Sequence, residues 1–376
     1  MNITFLIGNG FDVGMGMKSR FSDFFPKYCA DSVDKEESLR GLSKDIEEHQ
    51  DDWSYFELQI GQYTNNFTPQ NKQVFLNQFR DFELSFIDYL KDEEALLSFS
   101  ETKKIADVMI SGLTKYYNTE NLQVGSSQQV NSVYSNRLLE NHTINFVTFN
   151  YSAVLEKCLK TIPDGVISTR KTSNGNYYTK IGRVVHVHGT NDALPIMGVN
   201  DASQIANKEL ANDKRFIRYL VKPLSNEVHR MNHDKESAEL IGNSHIICIY
   251  GMSLGETDKD WWNRVLIWLN ANSSRQLVVF VYDKDFRMST HLDWIEKEDA
   301  IIDRLAEFTN FDIENLRPRI HIAVQKNIFE MNLRRHPEEE KLIKELFGIP
   351  NSDEDEMFAK FVDAYVAANK EFSGSM

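Results

Sequence analysis

Cysteine is scarce in this chain: Cys29, Cys158 and Cys248 are its only three among 376 residues. They are odd in number, far apart and set among apolar neighbours, which suits reduced structural thiols rather than a disulfide framework. No C-x-x-C pair occurs, so a four-cysteine zinc module is excluded. An excess of positive charge is also missing. With 56 acidic against 42 basic residues the formal net charge is −14, the wrong sign for a protein that grips phosphate backbones. Nucleic acid is therefore disfavoured as the primary ligand, and the one basic stretch, Lys208 to Lys222, reads as a solvated helix face. Long apolar runs are absent too. Nothing approaches the ~20 residues of a membrane span, and the N-terminus has neither a basic n-region nor an apolar run long enough for a signal peptide. The expectation is a cytoplasmic protein with no membrane partner, whose 41% hydrophobic content is ample for two domains or one with an insertion.

What is present begins at the first residues. Met1 to Ile7 is short, apolar and rich in β-branched types, and it runs into Gly8-Asn9-Gly10-Phe11-Asp12. A glycine turn between a buried strand and a helix aims backbone N–H groups at one spot, where the helix dipole adds positive potential, so it suits phosphate. The spacing Gly8-x-Gly10-x-x-x-Gly14 misses the dinucleotide fingerprint by one residue, because Val13 stands where the third glycine belongs. No second strand ending in an acidic residue comes ~20 residues later, as hydride-transfer enzymes require. A glycine turn that merely reverses the chain is the plainer explanation of these residues.

Further β-rich runs lie at 143–149, 184–188, 245–250, 277–282 and 320–324, continuous in apolar character and separated by helical stretches such as Ser152 to Lys160 and Asp258 to Asn270. That pattern predicts an α/β, doubly wound, mainly parallel sheet buried on both faces, with ligands at the carboxyl ends of its strands. Between the first two strands Phe75, Phe79, Phe82, Phe86 and Leu90 make one apolar helical stripe, and Ile105, Val108, Met109, Gly112, Leu113 and Tyr116 another. The division expected is a nucleotide-binding core of residues 1–22 and 140–330, a helical insertion over 23–139 that leaves through a polar loop at Gln123 to Val133, and a helical tail over 331–376. Ser173-Asn174-Gly175-Asn176 reads as a hairpin turn. Asp353-Glu354-Asp355-Glu356 opens a last amphipathic helix.

Polar residues gather at the predicted strand ends. Asn150 comes just after the second strand and offers a donor and an acceptor for a ribose hydroxyl, an amide or a water, with Ser152 placed to cap the next helix. His186-Val187-His188-Gly189 puts two histidines on one face, either of them a candidate general base. A histidine on a buried strand is also commonly just a satisfied core group. Joined by His229 and His233, the pair could instead form a metal site, although no Asp or Glu completes a recognisable ligand spacing and no metal is expected. Gly251-Met252-Ser253-Leu254-Gly255 makes a second phosphate- or ribose-sized turn. Thr257-x-x-Asp260 matches a capping box, which accounts for Asp260, and Asp258 is the freer of the two to bond a ribose. Trp261 and Trp262 are expected to pack against the insertion.

The ordered set GNGFD, TFNYSAVLE, HVHG and YGMSLGETD, spread over residues 5 to 260, resembles the AbiH family of bacteriophage abortive-infection proteins. It is also distantly similar to the sirtuin nucleotide-binding fold. Gly8-Asn9-Gly10 resembles the sirtuin glycine turn, Thr148-Phe149-Asn150 its Thr-Gln-Asn, His188-Gly189 its His-Gly, and Gly251-Met252-Ser253-Leu254 its Gly-Thr-Ser-Leu. The resemblance implies a Rossmann-like core and an antiphage protein that binds NAD and hydrolyses its nicotinamide–ribose bond. Asn150 and His188 would be catalytic; Gly8, Asn9, Gly10, Phe11, Asp12, Ser152, His186, Gly251, Ser253 and Asp258 would hold the cofactor. Ser152 stands where sirtuins carry an Asp, and with the zinc module absent a deacylase is not implied. A phage-derived trigger and a homo-oligomer are further expectations. The competing functions are a nucleotide sensor without turnover and a metal-dependent hydrolase or nuclease built on His186, His188, His229 and His233.

Overall fold

A computed structural model describes residues 1–336 apart from 51, 194, 229–231, 284–285 and 288–289. Seven strands form one mixed sheet: β1 (Asn2–Ile7), β2 (His142–Thr148), β3 (Val166–Thr172), β4 (Gly175–His186), β5 (Ile246–Tyr250), β6 (Gln276–Val281) and β7 (Ile320–Val324). Their order across the sheet is β3-β4-β2-β1-β5-β6-β7. Every pairing is parallel except the β3–β4 hairpin, where Thr172 faces Gly175 across the turn predicted there. From β1 the chain builds outward on one side through β2 and β4, then returns to the other side of β1 with β5, β6 and β7. The direction of winding therefore reverses between β1 and β5, the place where open α/β sheets leave a crevice for ligands.

Both faces of the sheet are buried, which is why its strands read as unbroken apolar runs. Ile3, Phe5 and Ile7 of β1, with Phe146, Cys248 and Phe280, pack against helical residues such as Phe24, Phe82 and Tyr116. Leu6, with Val147, Ile249, Val279 and Ile322, packs on the other side against Trp262, Leu266 and Ile302. Trp261 and Trp262 thus belong to this second face and do not pack against the segment between β1 and β2, contrary to expectation. The Trp262 indole donates to the Gly255 carbonyl at 2.9 Å.

That segment is helical at Phe21–Ser32, Gly41–Glu48, Phe56–Tyr63, Lys72–Ala95, Thr102–Lys115 and Val124–Ser135. The predicted stripe of Phe75, Phe79, Phe82, Phe86 and Leu90 is buried along Lys72–Ala95. Gln123 to Val133 is not an exit loop. Its glycine, serines and glutamines are weak helix formers or polar, but Ser127, Val130 and Val133 recur at a spacing of three and anchor a helix by burial. Strand β3 gives no apolar signal for a related reason: Ile-Ser-Thr-Arg-Lys-Thr is polar because it is an edge strand. Lys208 to Lys222 exposes Lys208, Lys214, Arg215 and Arg218 to solvent, as expected, but is not one helix. It breaks into short helices at Lys208–Ala211 and Ile217–Leu220 that bury Leu210, Phe216 and Leu220, and Lys222 itself is 2% exposed.

After β7 the chain crosses back as an extended strap. The Leu333 N–H donates to Met15 O at 2.8 Å, Ser98 N–H to Leu333 O at 2.8 Å, and Arg335 N–H to Leu96 O at 3.1 Å. Residues 331–336 are therefore not helical, and the helix predicted to open at Asp353 lies outside the described residues. No helix among the described residues is long and apolar enough to cross a membrane.

Candidate functional site

At the carboxyl ends of β1, β2, β4 and β5 lies a cavity of about 270 Å³. Of the residues singled out from sequence, Gly8, Asn9, Asp12, Asn150, Ser152, His188, Gly251, Ser253 and Asp258 line it; Gly10, Phe11 and His186 do not. The helical segment supplies Phe21, Tyr55, Phe56, Glu57, Phe86 and Leu90.

The β1 turn does something other than present N–H donors. Gly8 N–H donates to Tyr250 O at 3.0 Å, Gly10 N–H to Gly251 O at 2.7 Å, Phe11 N–H to Gly8 O and Val13 N–H to Asn9 O, both at 3.0 Å. The glycines are required because the β1 and β5 turns touch: a Cβ on Gly10 would lie 2.6 Å from Gly251 Cα, and Gly251 has φ +69°. Phe11 turns away to meet Phe329 edge-on at 5.5 Å. The Asn9 carboxamide is occupied by Ser19, which it meets through both its oxygen and its nitrogen.

Asp12 leads into the site from behind this turn. Its Oδ2 accepts the Ser152 hydroxyl at 2.5 Å, and its Oδ1 has no partner. Burial raises its pKa to about 7; the Ser152 hydrogen bond opposes that and the nearby Glu94 adds to it. Ser152 Oγ lies 3.5 Å from the Val154 nitrogen, and the helix Val154–Lys160 is capped at Ala153 without a side-chain bond, so the expected Ser152 cap is not formed. A raised carboxyl pKa costs stability as it ionises. The contribution is whole below the unfolded value near 3.8 and is lost as pH rises through about 7. Asp12→Asn should therefore stabilise the fold at pH 8 by up to about 4 kcal/mol and leave it little changed at pH 4. Thermal melts of both proteins at the two pH values check this; an equal or lower melting temperature for the variant at pH 8 would refute it.

Asn150 and His188 are each 6% exposed. Neither carboxamide atom of Asn150 has a hydrogen-bond partner, and neither does His188 Nδ1. His188 Nε2 is 4.0 Å from Asp258 Oδ1, and its ring stands edge-on to Phe149 at 5.7 Å. Burial, helped by the Lys222 charge, holds the His188 pKa well below its ordinary value, so the imidazole is neutral. His186 behaves oppositely. Its Nδ1 meets the Asn150 carbonyl oxygen at 2.8 Å and its Nε2 meets Glu156. Burial opposes its protonation, but Glu156 and that carbonyl outweigh burial and hold its pKa above the ordinary value. His186 therefore steadies the backbone of Asn150 and is not a partner of His188. Among the described residues no group of three or more His, Cys, Asp or Glu is arranged to hold a metal ion; His229 lies outside them.

Asp258 lines the cavity beside His188 and Lys222. Burial raises its pKa to about 6 against the pull of Lys222, with Glu57 adding to the rise. The Lys222 ammonium lies 2.7 Å from Glu57 Oε1 and 3.9 Å from Asp258 Oδ1. Burial alone would discharge Lys222, but these two carboxylates keep its pKa above normal. The expected capping box at Thr257 and Asp260 is absent: Asp260 Oδ2 accepts from the Asn200 carboxamide at 3.0 Å. Sequence alone does not single out Glu57 and Lys222, since neither falls in a motif or at a strand end. A lone Lys closing the apolar run Tyr219-Leu220-Val221 is the available signal for the second.

The family model for bacteriophage abortive infection AbiH matches residues 4–281, nearly three quarters of the sequence and every residue that lines this cavity. No curated protein matches the chain. A match of this extent shows that the chain belongs to the bacteriophage abortive infection AbiH family.

Proposed function

We propose that this abortive-infection protein binds NAD or a close relative in the strand-end cavity and hydrolyses its nicotinamide–ribose bond, in a Rossmann-like, sirtuin-like core with residues 23–139 as an insertion. The observation that carries the reading is the pair Asn150 and His188: two buried polar side chains with unpartnered atoms, at successive strand ends, lining one cavity. Burying such groups without partners costs roughly 1–3 kcal/mol each, a cost that a ligand's hydrogen bonds would offset.

In this mechanism the bond from ribose C1′ to the nicotinamide nitrogen breaks through an oxocarbenium-like state, and the ring departs as neutral nicotinamide. Asn150 holds the ribose or the water. The neutral His188 takes the proton as water adds to C1′, leaving ADP-ribose. Asp12 and Asp258 supply negative charge beside the developing cation. Phe21, Phe56 and Phe86, with ring centroids of Phe21 4.5 and 4.6 Å from the other two, form an apolar wall suited to a base. A protein that consumes NAD in the cytoplasm must be silent until infection. A phage-derived trigger and self-association through the insertion would provide that control.

The test is to incubate the purified full chain with NAD, with and without phage lysate, and to measure free nicotinamide. Release is the expected result. NAD bound without release under every condition would make the protein a nucleotide sensor, and no binding at all would overturn the reading.

A further inference from the structure

The charge around the cavity constrains which part of a ligand can enter it. Asp12, Glu57 and Asp258 line it, and among the described lining residues there is no Lys or Arg. Lys222 does not line it, and its single charge is shared between Glu57 and Asp258. Of the backbone donors that a phosphate would seek at the β1 turn, those of Gly8, Gly10, Phe11 and Val13 are bonded within the protein. Asn150, 6% exposed with both carboxamide atoms unpartnered, marks the same cavity as built for a polar ligand. Its volume of about 270 Å³ is below the usual range for whole drug-sized ligands and admits a nucleoside-sized piece at most.

A pyrophosphate placed here would lose its hydration to face three carboxyl groups with no cation against it. A delocalised organic cation meets the opposite conditions: carboxylates to neutralise it and an apolar wall of Phe21, Phe56 and Phe86 beside it. We propose that the group received in this cavity is a ribosylated pyridinium cation, selected by Glu57 and Asp258 for its positive charge, and that the phosphates of the same ligand stay at the rim beside the exposed Ser253. The identity of the ring rests on the nicotinamide reading above; the selection by charge is new and separable from it. Such selection also suits the chemistry, since the positive charge passes from ring to ribose as the bond breaks and never leaves the reach of the carboxylates. A bound cation further favours ionised Asp12 and Asp258, so binding near pH 6.5 should release protons.

Three probes without a glycosidic bond test this by calorimetry on the full chain at pH 6.5: 1-methylnicotinamide, a cation; nicotinamide, its neutral counterpart; and inorganic pyrophosphate. The cation should bind roughly tenfold or more tightly than nicotinamide, with proton release seen as a buffer-dependent enthalpy. Pyrophosphate should not compete. Glu57→Gln should reduce the preference for the cation over nicotinamide severalfold. Equal binding of the two pyridines, binding of neither at millimolar concentration, proton uptake in place of release, or competition by pyrophosphate would each overturn the proposal. Because the decisive comparison uses the unaltered chain, a variant that fails to fold does not rescue it. Nicotinamide release from NAD combined with equal binding of the two pyridines would remove charge selection alone. Cation preference without NAD cleavage would retain the cation site and remove the hydrolase.

Discussion

His188→Ala should lower nicotinamide release by about 10²–10⁴-fold while the protein stays folded and still binds the nucleotide. The structure separates the two effects unusually well. His188 Nδ1 has no hydrogen-bond partner, its Nε2 stands 4.0 Å from Asp258 Oδ1, and its ring makes edge and tilted contacts with Phe149 and Tyr151, so truncation breaks no close hydrogen bond. A buried histidine kept for stability would normally be tied down, as His186 is by Glu156 and the Asn150 carbonyl. Asn150→Ala should behave alike, since its carboxamide also lacks partners. Nicotinamide release and thermal melts on both variants decide the matter. Full activity in either, or loss of phage protection accompanied by a collapsed melting temperature, would assign that residue to the fold rather than to the chemistry. Because the His188 pKa is held low, activity should not fall as pH drops from 8 to 7 through titration of this imidazole.

The second large effect concerns stability. Lys222→Met should cost about 3–5 kcal/mol, because it leaves the half-buried Glu57 and Asp258 facing each other with no cation between them. The loss should shrink towards pH 5, where Asp258, already raised to about 6 with Lys222 present, takes up a proton. Combining it with Glu57→Gln should recover part of the loss. Denaturant midpoints at pH 5 and 8 measure this; a cost under about 1 kcal/mol at pH 8 would show that water reaches these groups and that burial does not govern them.

The architecture is legible in the chain wherever burial is two-sided. Strands such as His245 to Tyr250 announce themselves because each residue must be apolar, and the Phe75-to-Leu90 stripe because a helix on a core has a fixed repeat. Edge and amphipathic elements hide: β3 is polar on its open side, and Val124–Ser135 shows only two buried valines. Within the site, the residues just past a strand end can be read, as with Asn150, His188 and Gly251. Glu57 and Lys222 cannot, because their meaning lies in each other, 165 residues apart, and no local pattern encodes a long-range ion pair. The opening glycines stand out in the sequence for the wrong reason. They let two backbone turns touch, which a glycine motif on its own does not distinguish from a phosphate cradle.

The position of β1 has a consequence in time. It is the centre of the sheet, yet its two neighbours are β2, from residue 142, and β5, from residue 246. At about 5–20 residues per second of ribosomal synthesis, roughly 12 to 50 s separate the emergence of Ile7 from that of its second partner. Through that interval one edge of the strand is open and the wall formed by Gly251 to Asp258 does not exist. A nascent or prematurely terminated chain therefore carries no closed cavity, and for a protein whose proposed activity would harm the cell making it, the order of the strands is itself a delay.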